Sequence, residues 1–212
     1  MSGWRTTSCA LVSGLAVLAL AACGGAARQD ANEPAGRFPV RVTVARFPGA
    51  QRLAQRTRLV IAVRNAGAKT IPDIAVTITN PRYGTAVAPF ATSLDMPDLA
   101  NHSRPVWIVE RAPGPCGYSC RQGGPGGAVT ATPNTWALGA LGSGATARFV
   151  WGVTAVKAGT YRVRYQVAAG LNGKAKAVLA NGLEPAGTFT VHITSTPPQE
   201  YVNANGQVVT TG

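Results

Sequence analysis

The sequence contains few of the residues from which catalytic and metal sites are usually built. Only eight of its 212 residues are Asp or Glu, and it has two His, two Met and four Cys. Two His and two Met are too few for the clusters that carry copper or zinc in metal-trafficking proteins. The Gly-x-Ser-x-Gly motif, which presents the nucleophile in many hydrolases, is absent. We therefore predict a protein that is not an enzyme and that holds no cofactor or metal.

A long amphipathic helical pattern is also absent, and turn-forming residues are abundant. The chain has 25 Gly and 15 Pro, whereas charged residues make up only 13% of it. This composition favours an all-β domain with many turns. The length of the chain allows one well-formed core or two small ones.

The charge of the chain has one dominant sign. Lys and Arg together number 20 against eight acidic residues, which gives a formal net charge of +12. A positive surface favours anionic partners such as lipid headgroups, cell-wall polyanions or nucleic acid. We set nucleic acid aside because the chain has no motif that combines aromatic and basic residues for RNA binding. The alternative is an Arg-rich surface that is simply solvated.

The N-terminus carries the clearest functional signal. An apolar run of 14 residues, 9–22, follows the positive charge of Arg5. As a helix this run spans about 21 Å, too short to cross a bilayer, and small residues follow it, as in secretory signal peptides. Its ending LAAC, residues 20–23, resembles the lipobox of bacterial lipoproteins. The resemblance implies a signal peptide over residues 1–22, a lipidated Cys23, and an extracytoplasmic protein anchored to the bacterial cell membrane.

Composition divides the rest of the chain into three parts. Residues 23–37 are small and polar and have no apolar period, which predicts a flexible tether that begins at the lipidated Cys23. The folded domain is predicted to span residues 38–196. Within it, residues 82–136 are irregular and predict a long insertion between core strands, of the kind that often carries binding function. A C-terminal tail or edge strand is predicted at residues 197–212.

Alternation of apolar side chains predicts the strands. In the most regular stretch, residues 138–167, Phe149 and Trp151 lie on one face of a first strand, and Val163 and Tyr165 lie on one face of a second. We predict that these two strands form an antiparallel hairpin. Further strands are predicted at residues 38–47, 58–64, 74–79, 106–109 and 188–194, and Asn172-Gly173 predicts a second hairpin turn.

About seven short strands, each apolar on one side, predict an immunoglobulin-like antiparallel β-sandwich with a long loop insertion. Three motifs, VRNAG at residues 63–67, LGSG at 141–144 and GTYRV at 159–163, resemble turns and strand starts of CARDB-like bacterial immunoglobulin-type domains. The resemblance covers roughly residues 38–194. It implies a surface adhesion or spacer module without catalytic residues.

Two cysteines remain once residues 1–22 are removed and Cys23 is lipidated. They are Cys116 and Cys120, separated by three residues. In an oxidising exterior this spacing predicts a local disulfide. A redox or metal role would need a thioredoxin-like setting or further ligands, and the sequence shows neither.

Arginines on the polar faces of the predicted strands are the candidate binding residues. The principal candidates are Arg148, Arg162 and Arg164, and Arg41, Arg58 and Arg64 hold similar positions. If several of them lie on one sheet, they form a basic face that contacts an anionic glycan or lipid. If they are distributed over both sheets, each is an individual solvated side chain.

Three functions are compatible with these patterns. The first is a membrane-anchored extracytoplasmic lipoprotein that acts as a non-enzymatic surface interaction or adhesion module, with an envelope protein as partner and residues 82–136 as the contact region. The second is a lipoprotein that binds an anionic envelope polymer, glycan or lipid through a basic sheet face. The third, an exported hydrolase that uses His102 with Asp95 or Asp98, requires a nucleophile and a base within hydrogen-bond distance in one pocket.

Overall fold

The computed structural model describes residues 32–81, 89–91, 105–114, 130, 132 and 134–211. The strands in these ranges are β1 Gly36–Arg46, β2 Ala50–Arg52, β3 Arg56–Asn65, β4 Ala75–Thr79, β5 Phe90–Ala91, β6 Trp107–Arg111, β7 Thr135–Ala137, β8 Thr146–Ala155, β9 Gly159–Ala168, β10 Ala175–Val178, β11 Ala186–Thr194, β12 Gln199–Val202 and β13 Val208–Thr211. None of the described ranges contains a helix with the length and apolar character needed to cross a membrane.

Two sheets contain all of these strands except β12 and β13. The first has six strands in the order β10-β1-β3-β8-β6-β5, and the second has five in the order β2-β11-β9-β4-β7. The series β1-β3-β8-β6 and β11-β9-β4-β7 follow the two sheet orders of immunoglobulin domains, ABED and GFC with an added edge strand. The predicted immunoglobulin-like β-sandwich is thus confirmed. Three edge pairings, β1–β10, β2–β11 and β5–β6, are parallel, so the sheets are mixed rather than purely antiparallel.

The core lies between the two sheets, where alternate side chains point inward. Alternation at residues 58–64, 74–79 and 138–167 predicts which side chains of β3, β4, β8 and β9 point inward. These side chains are buried, and they are Leu59, Ile61, Val63, Val76, Ile78, Phe149, Trp151, Val153, Val163, Tyr165 and Val167. Burial of each such side chain contributes about 1.5–3 kcal/mol to folding. The period-two pattern therefore identified the core face of these strands correctly.

The predicted hairpin between the two strands of residues 138–167 is wrong. β8 pairs with β3 and β6, whereas β9 pairs with β4 and β11 in the other sheet. Residues 156–158 carry the chain from one sheet to the other. The apolar faces of β8 and β9 oppose each other across the core, as the inner faces of a sandwich do, instead of lying side by side.

The second predicted hairpin, at Asn172-Gly173, is wrong as well. Gly173 adopts a positive φ of 77°, as expected for a tight turn. The strand that follows, β10, does not pair back onto β9 but pairs in parallel with β1 at the edge of the six-stranded sheet. This pairing brings the 170–175 loop beside the start of β1, where the chain enters the domain.

A β-bulge in β1 changes the direction of its side chains. Val42 lies opposite Val63, but the register then shifts and Val44 lies opposite Ala62. Directly opposite residues share one face of a sheet, so the extra residue moves Val44 to the outer face. The alternation along residues 38–47 predicts that Val40, Val42 and Val44 share one face, and this prediction is wrong for Val44.

The described parts of residues 82–136 are built into both sheets. β5 and β6 extend the six-stranded sheet, and β7 forms an edge of the five-stranded sheet. Phe90, Trp107 and Trp136 are 3%, 0% and 5% exposed, and the ring of Phe90 contacts both indoles. These aromatic residues therefore belong to the core, and most of the predicted insertion lies outside the described residues.

The C-terminal residues form a small unit of their own. β12 and β13 pair with each other, and in the described structure neither joins a sheet of the sandwich. Gly206, with a φ of 75°, lies in the turn between them. The tail is thus a two-stranded hairpin rather than an edge strand of the sandwich.

Candidate functional site

Several predicted site residues lie outside the described ranges. They are the lipidation site Cys23, the disulfide pair Cys116 and Cys120, and the residues of the hydrolase hypothesis, His102, Asp95 and Asp98. These assignments stay predictions. In the part of the chain that the structure describes, no group of three or more His, Cys, Asp or Glu side chains is placed to hold a metal ion.

The structure does not bring together the three arginines predicted to contact an anionic ligand. Arg148 lies on β8 in the six-stranded sheet, whereas Arg162 and Arg164 lie on β9 in the five-stranded sheet. All three alternate with buried side chains, so they point away from the core on opposite sides of the sandwich. A ligand bound to one sheet cannot contact all three.

A different set of cations shares the outer face of the six-stranded sheet. We call the part of this surface on β10, β1, β3 and β8 the cationic face, and its members are Arg37, Arg41, Arg46, Arg56, Arg58, Arg64, Arg148 and Lys176. All of these side chains are exposed. The bulge in β1 places Arg46 on this face, because Arg46 lies opposite the outward Val60. The sandwich therefore presents one broad basic surface made by β1, β3, β8 and β10.

Like charges lie directly opposite each other at two places on the cationic face. Arg41 of β1 is opposite Arg64 of β3, and Arg37 of β1 is opposite Lys176 of β10. Arg41 and Arg64 belong to an antiparallel pair, in which opposite residues have Cβ atoms about 5 Å apart and like charges destabilise the sheet. An anion bound between the cations would relieve the repulsion and stabilise the folded state.

Few acidic side chains offset these charges. Glu110 of β6 forms an ion pair with Arg56, with 3.1 Å between Glu110 Oε2 and Arg56 Nε. Arg64 donates from Nε to the carbonyl oxygen of Gly144 at 3.2 Å. Among the described residues, the side chains of Arg41 and Arg148 form no hydrogen bond and no ion pair. The exposed guanidinium groups of these two residues are thus available to a ligand.

The outer face of the five-stranded sheet has a different character. Arg162 and Arg164 lie opposite Thr190 and Thr188 of β11. The charge of Arg164 is compensated by Glu184, whose Oε2 lies 3.4 Å from a guanidinium nitrogen. The two outer faces therefore differ in charge density, and arginines of the five-stranded face serve as matched controls for those of the cationic face.

Glu33 fixes the chain where it enters the domain. Glu33 is 9% exposed, and its carboxylate accepts hydrogen bonds from the N–H groups of Asn172 at 2.7 Å and Ala175 at 2.6 Å. A Cβ atom added to Gly170 would lie 2.2 Å from Glu33 Cδ, so the carboxylate occupies space that a larger residue would take. Gly36 donates its N–H to the carbonyl oxygen of Lys174 at 3.0 Å. Residues 33–36 are therefore bound to the 170–175 loop beside the cationic face.

A second carboxylate, that of Asp73, is half-buried at the same end of the sandwich. Its Oδ1 accepts a hydrogen bond from the N–H of Gly139 at 2.9 Å. Burial raises the pKa of Asp73 above its ordinary value of 3.8, the hydrogen bond from Gly139 opposes this shift, and the nearby charge of Glu33 adds to it. Asp73 and Glu33 both accept hydrogen bonds from backbone N–H groups, and among the described residues neither forms an ion pair with a member of the cationic face.

Comparison with known proteins gives similarity in fold only. No protein-family model matches the chain, and no curated protein matches it. Among solved structures, the chain is similar to the CARDB domain of PF1109 from Pyrococcus furiosus, with 12% identity, a TM-score of 0.40, and coverage of 75% of this chain and 95% of that one. PapD-like domain 7 of human CEP192 matches with 12% identity, a TM-score of 0.35, and coverage of 92% and 99%. Native α-2-macroglobulin from Escherichia coli matches with 13% identity and a TM-score of 0.40 over 77% of this chain and 18% of that one.

Proposed function

We propose that this protein is a non-enzymatic binding module that is anchored through lipidated Cys23 to the extracytoplasmic side of a bacterial cell membrane, and that its cationic face binds an anionic component of the cell envelope. The observation that carries the proposal is that like charges occupy opposite positions on neighbouring strands, Arg41 with Arg64 and Arg37 with Lys176. A sheet that had no ligand for this surface would gain stability by replacing one member of each pair. The anchor is supported by the lipobox-like ending at residues 20–23.

A second candidate function is binding of an envelope protein through residues 82–136. The described aromatic residues of this region do not support it, because Phe90, Trp107 and Trp136 are buried in the core. We therefore place the contact on the cationic face and retain the loop at residues 112–127 as the alternative that the experiment below distinguishes.

The test is binding of the soluble domain, residues 26–212, to purified envelope fractions at low and moderate salt. Among the described residues, the buried hydrophobic side chains lie between Phe38 and Ile193, so removal of the first 25 residues keeps all of them. Exposed charges are screened beyond about 10 Å at 0.1 M salt. We therefore expect the affinity to fall as salt rises, and to fall further in the double variant Arg41→Gln/Arg148→Gln.

The control is Arg162→Gln/Arg164→Gln, which removes the same charge from the opposite sheet. Equal losses in the two double variants would contradict the proposal, because they would show an effect of net charge alone. Binding that ignores salt and disappears when residues 112–127 are deleted would instead support a specific contact of the insertion.

A further inference from the structure

We infer that the anionic ligand of the cationic face is the headgroup layer of the membrane that carries the lipid anchor. The sandwich would then dock onto the bilayer through the end from which the tether leaves, which we call the tether end. The tether end is the end of the sandwich that contains Gly36, Asn65, Thr146 and Ala175. Gly36 pairs with Ala175, Arg64 pairs with Thr146, and Asn65 pairs with Val40, so the four residues lie at the same end of the sheet, with the start of β1 extending about four residues beyond the end of β3. This inference rests on the proposed function, because it assumes the lipidated Cys23.

The predicted tether leaves the domain at the tether end. Glu33 and Gly36 are hydrogen-bonded to the 170–175 loop, so the chain leaves the sandwich at the tether end. Ten residue steps separate Glu33 from Cys23, and a chain of that length reaches at most about 36 Å. This is about the length of β1 itself, which has 11 residues at roughly 3.3 Å each. The tether end is therefore held close to the headgroups.

The tether end carries a high positive charge. Five members of the cationic face lie in its half near the tether end, and the loops there add two exposed lysines; the set is Arg37, Arg41, Arg64, Arg148, Lys176, Lys69 and Lys174. The described acids nearby do not cancel it. Glu33 is buried against backbone N–H groups, and Glu184 is paired with Arg164 on the opposite face.

The cationic face is broad and open. An open sheet face with cations on four neighbouring strands is broad and presents its charges over an area rather than in a pocket. An anionic bilayer has the same geometry, and each Lys or Arg near such a surface strengthens binding by roughly fivefold. A face that lies within reach of the anchor needs only modest affinity, because docking is then intramolecular.

The test uses the mature lipidated protein in vesicles of phosphatidylcholine alone, or of two parts phosphatidylcholine to one part phosphatidylglycerol. A fluorophore is attached at Thr146→Cys, on β8 at the tether end, or at Thr188→Cys, on β11 of the opposite sheet. Both positions are exposed. Labelling of the parent chain, which carries Cys116 and Cys120, measures the background. Quenching by a headgroup-labelled lipid then reports which face lies near the bilayer, while the lipid anchor is the same in every sample.

We expect several-fold stronger quenching at position 146 than at position 188 in the anionic vesicles, and equal quenching in phosphatidylcholine. The difference should disappear in 1 M salt, where the screening length is about 3 Å. It should also disappear in Arg41→Gln/Arg148→Gln/Lys176→Gln, which weakens docking on the order of a hundredfold. Arg162→Gln is the control and should leave the difference intact.

Equal quenching of the two probes in anionic vesicles would overturn the inference. The binding assay with envelope fractions separates this failure from failure of the proposed function. If that binding still depends on Arg41 and Arg148, the cationic face binds an anionic polymer and the lipid assignment alone is wrong. If neither assay depends on these arginines, both are wrong.

Discussion

Removal of the Glu33 carboxylate should destabilise the domain, although Glu33 lies outside all of the strands. In Glu33→Ala, the N–H groups of Asn172 and Ala175 lose their acceptor. The Ala175 N–H is buried and costs about 1–3 kcal/mol when left without a partner, whereas Asn172 is exposed and its N–H can bond to water, so we expect a loss of about 1–3 kcal/mol in the free energy of unfolding. Glu33→Gln keeps one acceptor oxygen, and we expect about half of that loss.

The assay is denaturant unfolding followed by tryptophan fluorescence, since Trp107 and Trp151 are fully buried and will report loss of the core. Hydrogen exchange at the Ala175 amide measures the local effect and should become faster in Glu33→Ala. Glu200→Ala, in the exposed β12, is the matched control and should change nothing. A loss below about 0.5 kcal/mol in Glu33→Ala, with unchanged exchange at Ala175, would refute the role assigned to this carboxylate.

Three further substitutions test the packing and charge of the same domain. Gly170→Ala must displace the Glu33 carboxylate, so denaturant unfolding should show a loss similar to that of Glu33→Ala, and the double variant should lose much less than the sum. Asp73→Asn removes an acid whose pKa is raised in the folded state. Such a group stabilises the fold below its ordinary pKa of 3.8, and this contribution is lost as pH rises through the folded-state pKa. The stability of the variant relative to the parent should therefore increase from acidic to neutral pH, and a stability difference that is independent of pH would contradict the assignment. Gln51→Leu leaves the indole N–H of Trp107 and the carbonyl of Pro48 without partners and should cost about 2–4 kcal/mol in the same unfolding assay, whereas an unchanged midpoint would show that water replaces the amide.

The sequence predicted which side chains form the core, but not which strands pair. Phe149 and Trp151 of β8, and Val163 and Tyr165 of β9, are buried as their alternation indicated. Alternation depends only on a strand having one buried face, and it is the same for neighbours in one sheet and for strands that oppose each other in two sheets. The short connection at residues 156–158 therefore suggested a hairpin where the chain changes sheets.

Only part of the cationic face was predicted from the sequence, because alternation does not show which strands are neighbours. Arg41, Arg58, Arg64 and Arg148 were identified as outward residues, but without strand pairing they could not be separated from Arg162 and Arg164. Other members of the cationic face had no usable signal in the sequence. Arg46 is outward because of a bulge, and Lys176 joins the face because β10 pairs in parallel with β1. Both features depend on contacts between residues that are distant in the chain.

The contact of Glu33 with the 170–175 loop also had no local signal. Glu33 lies in a small, polar stretch that predicts a flexible tether, and its partners are 139 and 142 residues away in sequence. The contacts of Glu33 therefore place the end of the predicted tether at Glu33 rather than at the first strand. This shortens the distance between the domain and the predicted anchor at Cys23.

Chemical footprinting of the unmodified domain bound to envelope fractions tests the central claim most directly. Arginine side chains are modified with phenylglyoxal in the free and the bound protein, and mass spectrometry measures the change at each site. We expect protection of Arg41, Arg58, Arg64 and Arg148 in the bound protein, with Arg162 and Arg164 modified equally in both states. Protection of Arg162 and Arg164, or of none of the six, would contradict binding through the cationic face.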